Sequence, residues 1–283
     1  MKLFLLMQFL FLLWRTYRGP KGEMNAAGAI FFFSLPFLLV LIVSIYYFLK
    51  WKQINILKLF RYLKPLPAVH KEILKKKNPF YTKLSSDYKN RFEQRVNHFL
   101  INKNITDESG NDVSDEKKVT IAATFIQLTI GLRPVFLSNF KTIVVSQKES
   151  HWGVKKGNSK TFKLSWSEFE LGITNTADGY NPGLQLMAEA LFEENLMQTT
   201  GAAIFGESAF RKWQGVSKKQ AEYFINTGLS QFRSYREVNK DKYFGASTVY
   251  FFEKPQDFKQ RFPDMYKAMK GLLNQDPVKN KII

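Results

Sequence analysis

The stretch that decides the fold reads Asn181-Pro182-Gly183-Leu184-Gln185-Leu186-Met187-Ala188-Glu189-Ala190-Leu191. It leads into an apolar helix, which the pattern predicts over residues 184–198. Side chains four positions apart lie on one face of a helix, so Gln185 and Glu189 face the same way. A zinc-binding helix uses this spacing as His-Glu-x-x-His, with two imidazole ligands and a glutamate that activates water. The stretch has that spacing, but both imidazoles and the general base are absent.

Composition predicts a folded domain together with a membrane segment. The chain has 283 residues, of which 45% are hydrophobic and 27 are Phe, so disorder is excluded and a large core is expected. Cysteine is absent, which excludes disulfides and cysteine-based metal sites. The three histidines, His70, His98 and His151, are far apart, and no two of them are four positions apart.

Positive charge is concentrated in the first part of the chain. The net charge is +18, and residues 1–77 hold 13 Lys and Arg against Glu23 and Glu72. Basic residues beside an apolar run favour anionic lipid head groups, at about 1 kcal/mol each. Nucleic acid is not expected as a partner, because no recognition motif accompanies the charge. The residues predicted to contact the membrane surface are Lys50, Lys52, Lys58, Arg61, Lys64, Lys75, Lys76 and Lys77.

The N-terminal third divides into three predicted segments. Residues 26–49 contain no charged side chain and exceed the roughly 20 residues that cross a bilayer, which predicts a transmembrane helix. Residues 1–25 form a short apolar and basic segment, whose run 3–14 is expected to lie in the interface or to insert partly. Residues 50–77 are predicted as a basic juxtamembrane linker. The excess of basic residues after the long helix favours a cytoplasmic C-terminal domain.

Residues 78–283 have the patterns of one mixed domain. Ser85-Ser86-Asp87 predicts the start of a helix with Phe92 and Val96 on its apolar face. A buried helix is expected at 119–132, short strands at 142–145 and 160–164, and a helical turn from Trp166. Further helices are predicted at 218–232, 242–252 and 263–273. Because helices outnumber strands, the predicted fold class is α+β, mostly helical with a small β-sheet.

Several short stretches occur in the order found in one peptidase family. They are Leu164-Ser165-Trp166, Asp178-Gly179-Tyr180-Asn181, Phe210-Arg211-Lys212-Trp213, Tyr250-Phe251-Phe252-Glu253-Lys254-Pro255, Arg261-Phe262-Pro263-Asp264-Met265-Tyr266 and Gln275-Asp276-Pro277. Over about 200 residues the chain resembles the MtfA-type (Mlc titration factor A) zinc metallopeptidases. The resemblance implies a zincin-like peptidase domain.

The departures from this family fall on the positions that carry its chemistry. By the resemblance, Gln185 stands at the first zinc histidine, Leu186 at the catalytic glutamate and Glu189 at the second zinc histidine. Gln is a poor zinc ligand, and Leu186 cannot accept a proton from an attacking water. The resemblance therefore implies a degenerate site with no bound metal, no cofactor and no catalytic residue.

The third zinc ligand of the family is a glutamate that opens a helix of the Glu-x-Phe-Ala type, and Lys242 stands at that position. A further family glutamate falls at Val249, while Tyr235 matches a family tyrosine near the metal. Lys242 brings a positive charge to a place built for a cation, which opposes metal binding. Two arrangements of Glu189 and Lys242 are expected: a salt bridge in the vacated cavity, or two side chains that both face solvent.

The favoured hypothesis is a catalytically inactive, membrane-anchored peptidase homologue that acts as a binding or scaffold subunit. Its expected location is the bacterial inner membrane, and its expected partners are the lipid bilayer and another membrane protein or complex. The alternative is an active membrane-bound metallopeptidase with a rearranged site, using Glu189, Glu193 and His98 or His151. A third class, a charge-driven module for nucleic acid or lipid, would lose binding in salt.

Overall fold

The computed structural model describes residues 65–135, 137–147, 153–154, 161–197, 203–227 and 240–283. It also describes residues 34, 37, 38, 40–44 and 47. The chain forms two compact units, Met1–Leu63 and Lys64–Ile283. The larger unit carries all the strands among the described residues and the helices numbered below.

Ten α-helices follow one another along the described part of the larger unit. They are α1 (Ala68–Lys77), α2 (Pro79–Thr82), α3 (Ser86–Asn102), α4 (Asp115–Thr129), α5 (Trp166–Thr174), α6 (Pro182–Met197), α7 (Glu207–Thr227), α8 (Lys240–Glu253), α9 (Pro255–Arg261) and α10 (Pro263–Leu273). A short 3-10 helix at Pro277–Lys279 lies near the C-terminus.

The sheet has four strands: β1 (Asn104–Asp107), β2 (Thr142–Ser146), β3 (Gly153–Val154) and β4 (Thr161–Ser165). Their order is β1-β2-β4-β3, with β1, β2 and β4 parallel and β3 antiparallel to β4. The register pairs Ile105 with Ile143 and Val145 with Leu164, and all four side chains are buried. A separate two-stranded hairpin joins β5 (Gln275–Asp276) to β6 (Lys281–Ile282).

Helix α6 lies at the centre of the core. Of its sixteen residues, twelve are buried, including Leu184, Met187 and Leu191. It packs most extensively against α8, and also against α4 and α5. A helix with apolar residues on several faces is stable only when other elements cover those faces, as α4, α5 and α8 do. The α+β class predicted from the sequence, mostly helical with a small sheet, is confirmed.

The C-terminus of α4 is closed by side chains that are distant in sequence. The last carbonyl groups of a helix have no partner within the helix. The Arg95 guanidinium donates to the carbonyl oxygens of Thr129 and Leu132, both at 2.8 Å. The Gln275 amide donates to those of Gln127 and Leu128, at 3.0 and 2.9 Å. These bonds tie α3 and the C-terminal hairpin to one end of α4.

Most predicted elements of the domain are present with small shifts at their ends. The start predicted for the helix at 218–232 is wrong, because α7 begins at Glu207. Gly215 lies inside this helix at an exposed position, and a Cβ added there would meet nothing within 4 Å. The helix therefore continues through the glycine, which makes no close contact that would require it. Strands β3 and β4 are antiparallel, as in a hairpin, and the residues between them, 155–160, lie outside the described residues.

The linker predicted at 50–77 needs correction over its last ten residues. These residues form α1, which packs against α4 and buries Leu74. The Lys77 ammonium lies 2.6 Å from a Glu116 carboxylate oxygen, and Lys75 pairs with Glu72. Of the predicted membrane-surface residues, Lys76 is exposed, and the five from Lys50 to Lys64 lie outside the described residues.

A buried carboxylate joins α1, α2 and α3. The Tyr81 hydroxyl donates to one Glu93 oxygen at 2.6 Å, and the Lys71 ammonium lies 2.6 Å from the other. Burial is the main cause that raises the pKa of Tyr81 above its usual range, and the bond to Glu93 adds to it. This contact explains why the segment predicted as a linker belongs to the larger unit.

In the smaller unit, the described residues between 34 and 47 are helical. No helix built from described residues is long and apolar enough to cross a membrane, so the structure does not support the transmembrane helix predicted at 26–49. Most of that segment, and all of residues 1–25, lie outside the described residues. Among the described residues of the predicted transmembrane segment, the side chains of Phe37, Val40 and Ile42 are more than half exposed.

Candidate functional site

The residues singled out on α6 lie where this helix crosses α8. The Gln185 amide donates to a Glu189 carboxylate oxygen at 2.9 Å, so the two side chains form a bonded pair one turn apart. Gly245 of α8 lies directly against this pair. A Cβ at Gly245 would lie 2.9 Å from the Cγ atoms of both Gln185 and Glu189. We refer to Gln185, Glu189 and Gly245 as the α6/α8 crossing.

The absence of a side chain at Gly245 permits this crossing. Carbon atoms in contact are normally about 3.5–4.0 Å apart, so any Cβ would overlap both neighbours. In the family pattern, this position is the Ala of the Glu-x-Phe-Ala helix. The aliphatic parts of the Gln185 and Glu189 side chains therefore fill the space between the helices and pack against the backbone at Gly245.

The other family positions also depart from the geometry of a metal centre. Leu186, which the resemblance matches to the catalytic glutamate, is 1% exposed and belongs to the hydrophobic core. Val249, at the position of the further glutamate, is 3% exposed and belongs to the same core. Two positions that bear carboxylates in the resembled family therefore bear apolar side chains that stabilise packing.

Neither of the two arrangements expected for Glu189 and Lys242 is observed in full. Lys242 is exposed to solvent, whereas Glu189 is buried, at 6% exposure. No ion pair between described residues joins them, so the buried salt bridge is wrong. The solvent-facing alternative is correct for Lys242 alone. Tyr235 lies outside the described residues.

The donor set at the crossing does not fit zinc. A zinc site of this type needs three nitrogen, oxygen or sulfur ligands from the protein, and the positions matched by the resemblance supply one carboxylate, from Glu189. That carboxylate already accepts the Gln185 amide. In the described part of the chain, no group of three His, Asp or Glu side chains is placed to hold a metal ion.

The rearranged ligand set is also not brought together among the described residues. Glu194, next to Glu193 on α6, is buried, and its carboxylate accepts the backbone N–H of Asn139 at 3.0 Å. His98 lies on α3 beside Arg95 and Asn102, in a small hollow under the end of α4. His151 lies outside the described residues.

A second polar contact holds the entry to α6 against the end of α8. Asn181 accepts the Leu184 N–H, which caps the start of α6, and donates through its amide to Glu253 at 2.9 Å. The other Glu253 oxygen accepts the N–H of Gly179 at 3.1 Å. Gly179 has φ +81°, in the left-handed region that glycine tolerates best.

Burial is the main cause that raises the pKa of Glu253 to about 7, from its ordinary 4.5, and the negative charge of Asp178 adds to it. The bonds from Asn181 and Gly179 and the charge of Lys254 act in the opposite direction. Desolvation disfavours the ionised carboxylate more than these contacts favour it. Glu253 therefore changes its charge near neutral pH at a structural joint between two core helices.

Comparison with known proteins places the chain in a family. The glucose-regulated metallo-peptidase M90 family matches residues 48–153 and 141–273. The chain belongs to this family. The resemblance to MtfA-type peptidases drawn from the sequence is thereby confirmed. An uncharacterized protein of Synechocystis sp. is 21% identical over 269 residues, which cover 87% of this chain and 97% of that protein.

Sequence reasoning missed two features of this M90 site. Gly245 belongs to the helix matched through Lys242, and the signal available was a glycine at the alanine of the family's Glu-x-Phe-Ala pattern. The bond between Asn181 and Glu253 joins two of the matching stretches, but nothing in either stretch specifies their contact. Both features depend on how α6 and α8 pack, which the local sequence of neither helix encodes.

Proposed function

We propose that this M90 family member is a catalytically inactive peptidase homologue that acts by binding a partner. The observation that carries the proposal is the α6/α8 crossing, where a bonded Gln185–Glu189 pair packs against Gly245. A hydrolytic zinc centre needs an open position for water beside the metal. At the crossing, close-packed side chains occupy the space that such a water would need.

The chemistry of the remaining groups supports the same conclusion. Peptide hydrolysis at a zinc centre requires a metal that lowers the pKa of water and a base that takes its proton. Leu186 cannot act as that base. Glu189 is a carboxylate, but it is buried and already accepts the Gln185 amide. Retaining a fold without its catalytic groups favours a role for its surface, by analogy with other folds.

A membrane location is part of the proposal. The described residues of the smaller unit present apolar side chains on a helix, with Phe37 78% and Val40 65% exposed. Exposed apolar groups in such number favour contact with lipid or another protein. With the basic residues that follow, they favour anchoring at the bacterial inner membrane, with the larger unit on the cytoplasmic side and a membrane protein as partner.

The metal content of the full-length protein tests the inactive assignment. The protein would be purified with added zinc, dialysed, and analysed by elemental mass spectrometry beside an M90 member that carries His-Glu-x-x-His. We expect stoichiometric zinc in the comparison protein, and in this protein no more than in its Glu189→Gln variant. A peptidase assay with a casein substrate should show cleavage by the comparison protein alone.

The opposite result would support the alternative, an active peptidase with a rearranged site. It would consist of stoichiometric zinc that survives dialysis, is lost in Glu189→Gln, and accompanies cleavage that a chelator stops. Location is tested separately by membrane fractionation of cells that produce the full chain and a variant lacking residues 1–63. The full chain should sediment with membranes and resist a high-salt wash, whereas recovery of the full chain in the soluble fraction would contradict anchoring.

A further inference from the structure

A cleft of about 350 Å³ opens on the larger unit, away from the α6/α8 crossing. It lies where α2, the segment before α6, the junction of α8 and α9, and the C-terminal hairpin meet. None of the three residues of the crossing lines it. Its volume is in the range of small-ligand and peptide sites. The cleft is therefore separate from the positions that the resemblance matches to the family's metal site.

One wall of the cleft is apolar. Phe80 of α2 and Phe252 of α8 pack edge to face, with ring centroids 6.4 Å apart, and both remain partly exposed. Leu84 and Ile282 also line the cleft. Aromatic side chains left partly uncovered in a concavity gain most from an apolar group that removes their remaining surface from water.

The charged groups of the cleft differ in how they are engaged. Asp276 is buried and is bound by the Tyr266 hydroxyl and the Lys270 ammonium, at 2.7 and 2.6 Å. Glu253 is bound by Asn181 and Gly179, as described above. Both carboxylates are thus committed to the fold.

The two lysines of the lining are different. Lys83 and Lys281 are exposed, and among the described residues neither makes an ion pair. Two uncommitted ammonium groups beside an apolar wall complement a ligand that combines an apolar group with a carboxylate. Electrostatic complementarity of this kind selects a partner more than it adds affinity.

The polar side chains of the lining distinguish a peptide from a simple amphiphile. Gln127, Thr176 and Asn280 line the cleft and carry amide or hydroxyl groups suited to pairing with backbone N–H and C=O groups. An alkyl chain that covered these groups would leave them without a hydrogen-bond partner, which lowers affinity. We propose that the cleft binds the C-terminal end of a peptide, with an apolar last side chain against Phe80 and Phe252 and the free carboxylate at Lys83 and Lys281.

A peptide library tests this proposal on the full-length protein. The probe is a mixture of tetrapeptides that end in Leu, Val or Phe, prepared once with a free carboxylate and once with a terminal amide. Retention on the immobilised protein would be read by mass spectrometry. We expect the free-acid peptides to be enriched about tenfold over the amides, because only they can engage both lysines.

Two charge-reversal variants locate the site. Lys83→Glu with Lys281→Glu should abolish the enrichment, whereas Lys219→Glu with Lys259→Glu, which changes the net charge equally on exposed residues, should keep it. Equal retention of acids and amides, or equal losses in both variants, would overturn the proposal. So would displacement of the peptides by decanoate at the same concentration, because the cleft would then be a site for amphiphiles. None of these outcomes depends on zinc content.

Discussion

Replacing Gly245 with alanine tests whether the α6/α8 crossing is close-packed. The added Cβ would lie 2.9 Å from the Cγ atoms of Gln185 and Glu189, and 3.1 Å from a Glu189 carboxylate oxygen. Each Cγ atom is only one bond beyond its own Cβ, so it cannot move away without a change of χ1, which the helix restricts. We therefore expect the two helices to be forced apart.

The magnitude follows from two opposing effects. Overpacking a filled core typically lowers the free energy of unfolding by about 1–3 kcal/mol. Replacing a helical glycine with alanine raises the free energy of unfolding by about 0.5–1 kcal/mol, because alanine lowers the conformational entropy of the unfolded chain and favours the helix. The expected net loss for Gly245→Ala is up to about 2.5 kcal/mol, which corresponds to a fall in Tm of up to about 10 °C for a unit of this size.

Gly215→Ala is the matched control. Gly215 lies in the interior of α7 with nothing within 4 Å of its added Cβ, so only the favourable effect operates and Tm should rise. Thermal unfolding followed by circular dichroism would compare the two variants. If Gly245→Ala were as stable as Gly215→Ala, the close packing at the crossing would be refuted. Glu189→Ala removes two of the three overlapping atoms, so Gly245→Ala should cost less in that background.

Three further predictions concern polar contacts. The pKa of Glu253 in the folded state, about 7, exceeds its ordinary value of 4.5. Between these two pH values the folded protein therefore holds a proton that the unfolded chain has released. The contribution of Glu253 to the free energy of unfolding is greatest below pH 4.5 and is lost as the pH rises through 7. Urea unfolding between pH 5 and 8 should show the wild type losing stability relative to Glu253→Gln over that range, and a constant difference would contradict the assignment. Gln275→Ala removes two hydrogen bonds to carbonyls of α4 and should lower the free energy of unfolding by about 1–3 kcal/mol, against under about 0.5 for Gln256→Ala on the surface of α9. Tyr81→Phe leaves Glu93 without its hydroxyl partner and should cost about 1–2 kcal/mol in chemical denaturation; no loss would show that the contact contributes nothing.

The sequence predicted those elements whose patterns are strong by themselves. Helix α4 is a long apolar run, and α10 starts at Pro263 as predicted, where proline favours a first helical turn. Strand β1 was missed because Asn104–Asp107 has one apolar residue, Ile105. It forms through parallel pairing with β2, a contact between segments distant in sequence. Helix α1 was missed because its basic composition favoured a surface segment.

The candidate site likewise combines features that the sequence predicts with features that it does not predict. The i, i+4 spacing places Gln185 and Glu189 on one helix face, and the resemblance marks these positions as altered. Neither identifies Gly245 as the group that faces them, because the register between α6 and α8 is set by the whole core. The salt bridge expected between Glu189 and Lys242 failed for the same reason. The resemblance matches both residues to ligand positions of a metal site, but nothing in that match requires a glutamate and a lysine at these positions to contact each other.

The closure of α4 by Gln275 has a consequence for how the protein is made. Its amide bonds carbonyls 147 and 148 positions earlier in the chain. During synthesis, α4 leaves the ribosome long before Gln275 does, so the carbonyl oxygens of Gln127 and Leu128 stay open to water until Gln275 has emerged. Contacts of such long range form late and slowly. The packing of Gln275 against α4 is therefore a late step, and a nascent chain stopped before Gln275 should be a preferred target for chaperones and proteases.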